Sequence, residues 1–488
     1  MNPYSQKMLR AWANLGPRFL PFADAATPDL PLSRLLRLSL FQVTVGMALV
    51  LLIGTLNRVM IVELGVSAAL VSIMISLPLI FAPFRALIGF SSDTYRSELG
   101  WKRIPFIWRG TMLQFGGLAI MPFALLVLSG EGHAGEWPSW IGDISAAVAF
   151  LLVGAGMHMT QTVGLALATD LAPAESRPKV VGLMYVMLLL GMIVSALVFG
   201  GLLVDYTNGR LIQVIQGAAA ATVALNLLAM WKQEGRDPSR TAATLHQPTF
   251  RESWDSFTEG GQAVRRLVAV GLGTMAFSME DVLLEPYGGQ VLQLSVGATT
   301  KLTATLAVGG LLGFGLASRV LSRGADPFRM ASYGALVGVP AFLAVIAAAP
   351  LASPTFSPLL FALGTLMIGF GAGLFGHGTL TATMNFAPEG QIGLALGAWG
   401  AVQATMAGLA IALGGIIRDS VAALAAKDFF SSTLNHPATG YAFVYSIEVI
   451  LLFATLVTMF PLLRRGPQIA NARATVENMA PEGSGNKS

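Results

Sequence analysis

The stretch "KQEGRDPSRTAATLHQPTFRESWDSFTEGGQAVRR", residues 232–266, is the longest polar interruption in this chain and separates two long apolar regions. The 488 residues are 54% hydrophobic and only 11% charged, with a mean hydropathy of +0.66. About a quarter of the residues in a soluble globular protein are charged. Since a helix needs roughly 20 apolar residues to cross a membrane, the composition predicts an all-α polytopic membrane protein.

Twelve apolar runs are long enough to be transmembrane helices, six on each side of the polar stretch. We number them span one to span twelve in chain order: 38–60, 66–90, 104–129, 142–168, 179–203, 210–231, 266–285, 298–320, 329–349, 358–384, 391–417 and 441–463. The predicted organisation is an N-terminal segment at the membrane surface (1–37), a first half (38–231), a central loop (232–265), a second half (266–463) and a disordered polar tail (464–488).

The distribution of Lys and Arg predicts the orientation of the chain. If the N-terminus is cytoplasmic, the cytoplasmic segments carry 23 Lys and Arg residues, and the segments on the opposite side carry five. Because positive residues accumulate on the cytoplasmic side of membrane proteins, we expect both termini in the cytoplasm. The basic loops then lie beside anionic lipid headgroups, which excludes a nucleic-acid-binding function. The chain has no Cys, so disulfides and thiolate metal sites are excluded.

Three pairs of short segments predict that the two halves are copies of one unit. "NRVMIV" (57–62) matches "EDVLLE" (280–285), "GFSSD" (89–93) matches "GLASR" (315–319), and "TDLAPAE" (169–175) matches "MNFAPEG" (384–390). The offsets are 223, 226 and 215 residues. Two six-helix halves related by an axis along the membrane normal are typical of the major facilitator fold. We therefore expect two pseudo-symmetric halves with that architecture.

The loop after span two supports the same fold. It resembles the motif of the major facilitator superfamily, a Gly-xxx-Asp followed by a basic Gly-x-Lys/Arg cluster, through Gly89, Asp93, Arg96, Gly100, Lys102 and Arg103. The spacing between Asp93 and Gly100 is longer than in most transporters of the superfamily. This difference argues against an ordinary sugar or drug porter.

Two histidines lie within predicted spans, where an ionisable residue needs a partner, a cavity or a ligand. His158 is in span four with Gln161 on the same face, and His377 is in span ten. Spans one, four, seven and ten line the central cleft of a major facilitator fold, so both imidazoles are candidates to face it. Three interpretations stay open: hydrogen bonding to a neighbouring helix, a proton relay, and axial ligation of a metallotetrapyrrole by a neutral imidazole. The glycines near them either leave room for a flat macrocycle or let helices pack closely: Gly154, Gly156, Gly371, Gly373, Gly376 and Gly378.

Span seven ends in "FSMEDVLLEPYGGQ" (277–290), which carries three carboxylates. We expect Asp281 and Glu285 to share one helix face, one turn apart, and Glu280 to point elsewhere. We expect Pro286 to end the helix, because proline cannot continue the hydrogen-bond pattern.

Two functions are open for these carboxylates. The repeat places Arg58 opposite Asp281, and Lys301 lies where span eight begins. One interpretation is an ion-pair network of Arg58, Asp281, Lys301 and Asp93 that joins the two halves. The other is that the carboxylates orient a ligand or carry a proton.

The same stretch carries the strongest resemblance to a known family. "EDVLLEPYGGQVL" (280–292), "LFQVTVGMALVLLIGTLNRVMIVELGV" (40–66) and "FAPFRALIGFSSDTYRSELGWKRIPFIWRG" (81–110) resemble the PucC/LhaA family of phototrophic bacteria. That family is the bacteriochlorophyll-delivery branch of the major facilitator superfamily. The resemblance covers residues 32–465 and neither terminal extension.

The resemblance implies an assembly factor for light-harvesting antennae and no enzyme activity. It implies delivery of bacteriochlorophyll to antenna α and β polypeptides and help with ring assembly around the reaction centre core complex. A pigment-synthesis enzyme and the membrane insertase are the further partners that it implies. The location would be the bacterial inner membrane, in its intracytoplasmic photosynthetic part. Some members serve the core antenna and others the peripheral antenna, and we favour the core-antenna kind (LhaA).

For a carrier of this kind the expected ligand is bacteriochlorophyll, with carotenoid or lipid as further candidates. The chain would bind no metal directly, and one imidazole would ligate the magnesium of the pigment weakly enough to release it. His158 is the first candidate for that ligand and His377 the second, with Gln161 beside them and Glu280 or Glu285 as further candidates. Two other functions stay open: a proton-coupled transporter of a small molecule, and a docking scaffold that transports nothing.

Overall fold

The computed structural model describes residues 22–80, 88, 92, 95, 100–130, 136–173, 176–235, 262–351, 353, 355–385, 392–427 and 436–479. Every regular element in these ranges is a helix. Asp93, residues 1–21, residues 236–261 of the central loop and residues 480–488 lie outside the described ranges. The predictions made for them therefore stay predictions.

Within the described ranges, eleven helices are long and apolar enough to cross a membrane, and a shorter apolar helix lies at the position of span two. The bounds are Leu32–Glu63 for span one, Ala68–Ile80 for two, Ile104–Ser129 for three, Ser139–Leu171 for four, Arg177–Leu202 for five, Asn208–Met230 for six, Gln262–Ala276 with Glu280–Val282 and Leu284–Gln290 for seven, Val296–Leu321 for eight, Pro327–Ala348 for nine, Phe356–Asn385 for ten, Ile392–Ala425 for eleven and Ala438–Met479 for twelve. The prediction of a twelve-helix, multi-pass membrane protein is confirmed.

Some spans differ in extent from the sequence predictions. Span one begins earlier, at Leu32, and its later part consists of π-helical turns (Val50–Leu56 and Val59–Glu63). Span twelve continues to Met479, so the prediction of a disordered tail is wrong for residues 464–479. Ala, Arg, Gln and Glu make up much of that segment, and these residues favour helix over disorder.

The packing of the helices repeats after six spans. Span one packs on spans five and six, as span seven packs on spans eleven and twelve. Span three packs on spans four and six, as span nine packs on spans ten and twelve, and span two packs on span four as span eight does on span ten. The two halves meet where span two packs on span eleven and span five on span eight. These contacts confirm two pseudo-symmetric six-helix halves.

Glycines let several of these helices pack backbone against backbone. A Cβ on Gly309 of span eight would overlap the Leu366 carbonyl oxygen of span ten. Where the two halves meet, a Cβ on Gly297 of span eight would lie 2.6 Å from the Gly200 carbonyl oxygen of span five. Any larger residue would push these helices apart, so the seams require glycine.

We predict that Gly309→Ala lowers the melting temperature of the detergent-purified protein, because overpacking a close seam costs about 1–3 kcal/mol. Gly315→Ala on the same helix is the matched control, since a Cβ there meets no atom within 4 Å. The control should keep or slightly raise the melting temperature, because Ala favours helix by about 1 kcal/mol over Gly. Equal melting temperatures for the two variants would contradict the packing argument.

Candidate functional site

Span seven is interrupted between its first helix, which ends at Ala276, and a short helix, Leu284–Gln290. Pro286 contributes to the interruption, because it has no amide hydrogen to donate to the Val282 carbonyl four residues earlier. The Asn57 side chain of span one donates to that carbonyl instead, with 2.7 Å between Nδ2 and the oxygen. Pro286 itself lies in the first turn of the short helix, where proline is tolerated. The prediction that Pro286 ends the helix is therefore wrong, since the break precedes it.

On the other side of the interruption, a backbone amide donates its hydrogen bond to a carboxylate of span twelve. The Glu280 amide donates to Glu448 Oε1 at 2.7 Å, and not to the Ala276 carbonyl of the first helix. Glu448 is fully buried and Glu280 is 1% exposed. One carboxylate oxygen of each has no hydrogen-bond partner among the described residues. Glu448 is the single carboxylate within the apolar run of span twelve, which is a sequence signal for a functional residue. The site predicted from the sequence nevertheless did not include Glu448.

Two adjoining cavities lie between the halves at the level of this interruption. The His158 cavity has a volume of about 270 Å³ and is lined by spans one, two, four, five, seven, eight and eleven. The His377 cavity has a volume of about 290 Å³ and is lined by spans five, seven, eight, ten and eleven. The residues that line both cavities mark the place where they meet: Met192, Glu280, Asp281 and Leu306. Most of the other lining side chains are aliphatic or aromatic, so the space suits an apolar ligand.

His158 lies in the wall of its cavity beside Met157, Phe150 and Met192, and it is 7% exposed. Methionine side chains adapt their shape to an apolar partner. Gln161, which was predicted to share the site, does not line either cavity. Its Nε2 lies 3.5 Å from Oε1 of Gln42 in span one, so this amide links two helices.

His377 faces the other cavity and is surrounded by aromatic rings. Its ring centroid lies 4.2 Å from that of Phe314 in span eight and 6.1 Å from that of Phe22, which precedes span one. Its Nδ1 has no hydrogen-bond partner among the described residues. An imidazole nitrogen of this kind is available to ligate a metal ion.

Of the six glycines near the two histidines, five allow helices to pack closely and one leaves open space beside a histidine. A Cβ on five of them would collide with a neighbouring span: Gly154, Gly156, Gly371, Gly373 and Gly378. A Cβ on Gly376 would meet no atom within 4 Å, and Gly376 lines the His377 cavity. The expectation of open space beside an imidazole therefore applies to one glycine of the six.

The three carboxylates of span seven all line the His158 cavity. The prediction that Glu280 points away from the other two is wrong, because the interruption changes the helical register between Glu280 and Glu285. Glu285 is 2% exposed and accepts a hydrogen bond from the Thr303 hydroxyl of span eight. Its Oε2 has no hydrogen-bond partner among the described residues.

The predicted ion-pair network does not form among its described members. Arg58 forms a salt bridge with Glu63 of its own span and donates to the Leu294 carbonyl at 3.2 Å. Lys301 is exposed, and neither cation makes a salt bridge with Asp281. The physical reason is the break in span seven, which turns Asp281 into the space shared by the two cavities.

Other residues join the two halves at the end of the bundle that carries Arg58. Asp419 of span eleven accepts from the Ala69 amide of span two at 2.7 Å, which caps the start of that helix with a negative charge. Next to it, Arg418 links helices within the second half: it donates to the Gln290 side chain at 2.5 Å and lies 4.6 Å from the Tyr441 ring centroid. The sequence signal for this pair is an Arg-Asp dipeptide at the end of span eleven, and the predicted site did not include it.

The described spans thus form a membrane protein of two pseudo-symmetric six-helix halves with two adjoining cavities between them. The chain belongs to the PUCC protein family, whose model matches residues 55–466. It is 65% identical to Protein PucC of Rhodovulum sulfidophilum over 424 residues, which are 86% of this chain and 92% of that protein. It is 57% identical to Protein PucC of Cereibacter sphaeroides over 450 residues, 92% of this chain and 96% of the relative. A more distant relative, at 29% identity over 86% of this chain and 92% of its own length, is the Bacteriochlorophyll synthase 44.5 kDa chain of Rhodobacter capsulatus.

Solved transporter structures share the fold. A bacterial homologue of the human lysosomal transporter Spinster, inward-facing and occupied, matches with a TM-score of 0.63 over 88% of this chain and 96% of its own. A variant of the nucleoside transporter NupG matches with the same TM-score over 87% and 99%. Both are 14% identical to this chain, so the likeness concerns the fold alone. The predicted major facilitator architecture is confirmed.

We predict that Asn57→Ala lowers the melting temperature, because it leaves the buried Val282 carbonyl without a donor, at a cost of about 1–3 kcal/mol. Pro286→Ala would restore an amide hydrogen four residues after that carbonyl. The double variant Asn57→Ala/Pro286→Ala should therefore lose less stability than the sum of the two single variants. The measurement is the thermal melting of all three in the same detergent. Asn208→Ala, at an exposed asparagine, is the control, and strictly additive losses would contradict the explanation of the break.

Proposed function

We propose that this protein binds bacteriochlorophyll between its two halves and delivers it to antenna α and β polypeptides. The observation that carries the proposal is the pair of adjoining apolar cavities, each with one buried histidine, in a chain of the PUCC family. The name of the distant relative, a chain of bacteriochlorophyll synthase, supports bacteriochlorophyll as the class of ligand.

The donor set suits such a ligand, and the space is that of a small-molecule site. Cavities of about 270 and 290 Å³ that adjoin each other together reach the range of roughly 300–1,000 Å³ for small-molecule sites. Magnesium in the pigment needs one axial ligand, which a neutral imidazole supplies. A carrier must also release its cargo, and a single imidazole in an apolar wall binds less tightly than a polar cage would.

The surroundings of the two histidines reverse the order predicted from the sequence. His377 has an Nδ1 without a partner among the described residues, an aromatic ring beside it and open space at Gly376. We therefore propose His377 as the main ligand and His158 as the second. Glu280 and Glu285 stay candidates, because each lines a cavity with one carboxylate oxygen that has no partner among the described residues.

The proposal includes the setting in which delivery takes place. We place the protein in the photosynthetic inner membrane with both termini in the cytoplasm, where its basic loops face anionic lipids. The partners we propose are the antenna polypeptides, the reaction centre core complex and a pigment-synthesis enzyme or the insertase. The core antenna is the proposed client, and carotenoid or lipid are further proposed ligands. No chemical step is assigned to the chain.

A proton-coupled transporter is the second candidate function. It is favoured by the buried carboxylates of Glu280 and Glu448 and the half-buried carboxylate of Asp281, which make no salt bridge within the described part of the chain. It is disfavoured by the mostly apolar walls of both cavities, which offer few hydrogen bonds to a polar cargo.

We predict that the protein, purified in mild detergent from a pigment-producing host, carries bacteriochlorophyll that is visible in its near-infrared spectrum. His377→Ala should reduce the bound pigment about tenfold, which corresponds to 1.4 kcal/mol of binding free energy. His158→Ala should reduce it less. His436→Ala is the matched control, since this histidine lies outside both cavities and accepts a hydrogen bond from the Ala438 amide.

The outcomes separate the candidate functions. Unchanged pigment content in both cavity variants would overturn the site assignment while leaving pigment binding in place. A preparation without any pigment would overturn the carrier function and favour the docking scaffold or the transporter.

A further inference from the structure

The segment before span one folds against the bundle and inserts an aromatic ring between the two halves. The Phe22 ring centroid lies 5.9 Å from that of Phe314 and 6.1 Å from that of His377, both in the second half. On its other side the ring faces Gly182 of span five, in the first half. A Cβ on Gly182 would lie 2.9 Å from three carbons of the Phe22 ring. The ring therefore fills the gap between spans five, eight and ten.

Phe22 is half-buried, and the two rings that it contacts lie well inside the bundle. His377 is eight residues from the end of span ten at Asn385, and Phe314 is seven residues from the end of span eight at Leu321. At 1.5 Å per residue these positions are about 10–12 Å from the helix ends. Phe22 enters from the end of the bundle where the basic residues Arg34, Lys102, Arg103 and Lys179 lie, which we call the basic end.

Buried apolar side chains fix the rest of this segment to the first half. Ala25 and Leu30 are 0% and 1% exposed and belong to one apolar cluster with Leu183 and Met184 of span five. The segment is thus anchored by burial a few residues after the inserted ring.

The end of the segment that carries the ring is held less firmly. Asp24 forms a salt bridge with Lys179 at 2.6 Å, but both side chains are about half exposed, and such pairs contribute little. Phe22 adopts a left-handed backbone conformation, with φ of 62°, which is unfavourable for a residue with a side chain. The contacts of the half-buried ring offset this strain. Because the anchor at Ala25 and Leu30 is separate from the ring, the ring can leave without loss of the anchor.

We propose that residues 22–30 form a lid and that the Phe22 ring is the plug that closes the His377 cavity at the basic end. A molecule that enters from this end must displace the ring, because the ring contacts Phe314 and His377, which both line that cavity. At the opposite end, Arg58 and Asp419 make hydrogen bonds that join the halves. Opening of the lid therefore controls access to the cavity, whatever the cavity binds.

The absence of Cys from the natural sequence provides a direct test. Gly376→Cys places one thiol in the cavity at a position with free space, and Gly235→Cys places one at an exposed position of the basic end. The rate of modification by a small water-soluble methanethiosulfonate is then measured on the full-length purified protein. We expect slow modification of Gly376→Cys, and a rate about tenfold higher when Phe22→Ala is added. The rate at Gly235→Cys should be the same in both backgrounds.

A second set of variants keeps the aromatic ring. Asp24→Asn should raise the rate at Gly376→Cys about two- to threefold, because it removes only the exposed ion pair. The charge-swapped pair Asp24→Lys/Lys179→Asp should restore the slow rate. Phe356→Ala, at an exposed phenylalanine of span ten, should leave the rate unchanged.

Two results would overturn the lid. One is an equal rate at Gly376→Cys with and without Phe22. The other is a rate at Gly376→Cys, with Phe22 present, as high as that at Gly235→Cys. Neither result depends on pigment, so failure of the lid and failure of the proposed function are distinguished.

Discussion

The hydrogen bond between the Asn57 side chain and the Val282 carbonyl is the contact on which the centre of this molecule depends. Pro286 removes the amide that a continuous helix would give to that carbonyl, and a buried carbonyl without a donor is costly. The donor comes from span one, so the break in span seven is stable only while the two halves are together. One missing amide hydrogen thus links the local shape of a helix to the docking of the halves.

The break also determines what faces the centre. A continuous helix would place Glu280 and Glu285 on different faces, since they are five residues apart and the helix turns every 3.6 residues. The interruption instead brings Glu280, Asp281 and Glu285 to one cavity and gives the Glu280 amide to Glu448. The surrounding seams are closed by glycines such as Gly309 and Gly369, which bring helix backbones into contact. The helices are therefore tightly packed at these glycine contacts, whereas the three carboxylates of span seven lie together in an otherwise mostly apolar cavity.

Hydropathy and charge were sufficient to predict the twelve spans, because burial in lipid requires long apolar runs whatever their neighbours are. The pseudo-symmetry followed from short matched segments. The orientation of the carboxylates was not predictable in the same way, because it depends on a donor from another span. Pro286 is evident in the sequence, but the hydrogen bond that it removes is one to a carbonyl four residues earlier, and the replacement donor comes from another span. Glu448 had a sequence signal, whereas Phe22 had none, since nothing local distinguishes a phenylalanine that inserts into a cavity from one at a surface.

The two histidines lie at different depths from the basic end, and this difference orders the path of any molecule that enters there. His377 is eight residues from the end of span ten, whereas His158 is thirteen residues from the end of span four at Leu171. At 1.5 Å per residue, the depths are about 12 and 20 Å. A molecule that displaces Phe22 therefore meets His377 first, then the junction at Glu280 and Asp281, and His158 last. Contacts toward the opposite end join the halves, which leaves the basic end as the side from which the proposed ligand would reach both histidines.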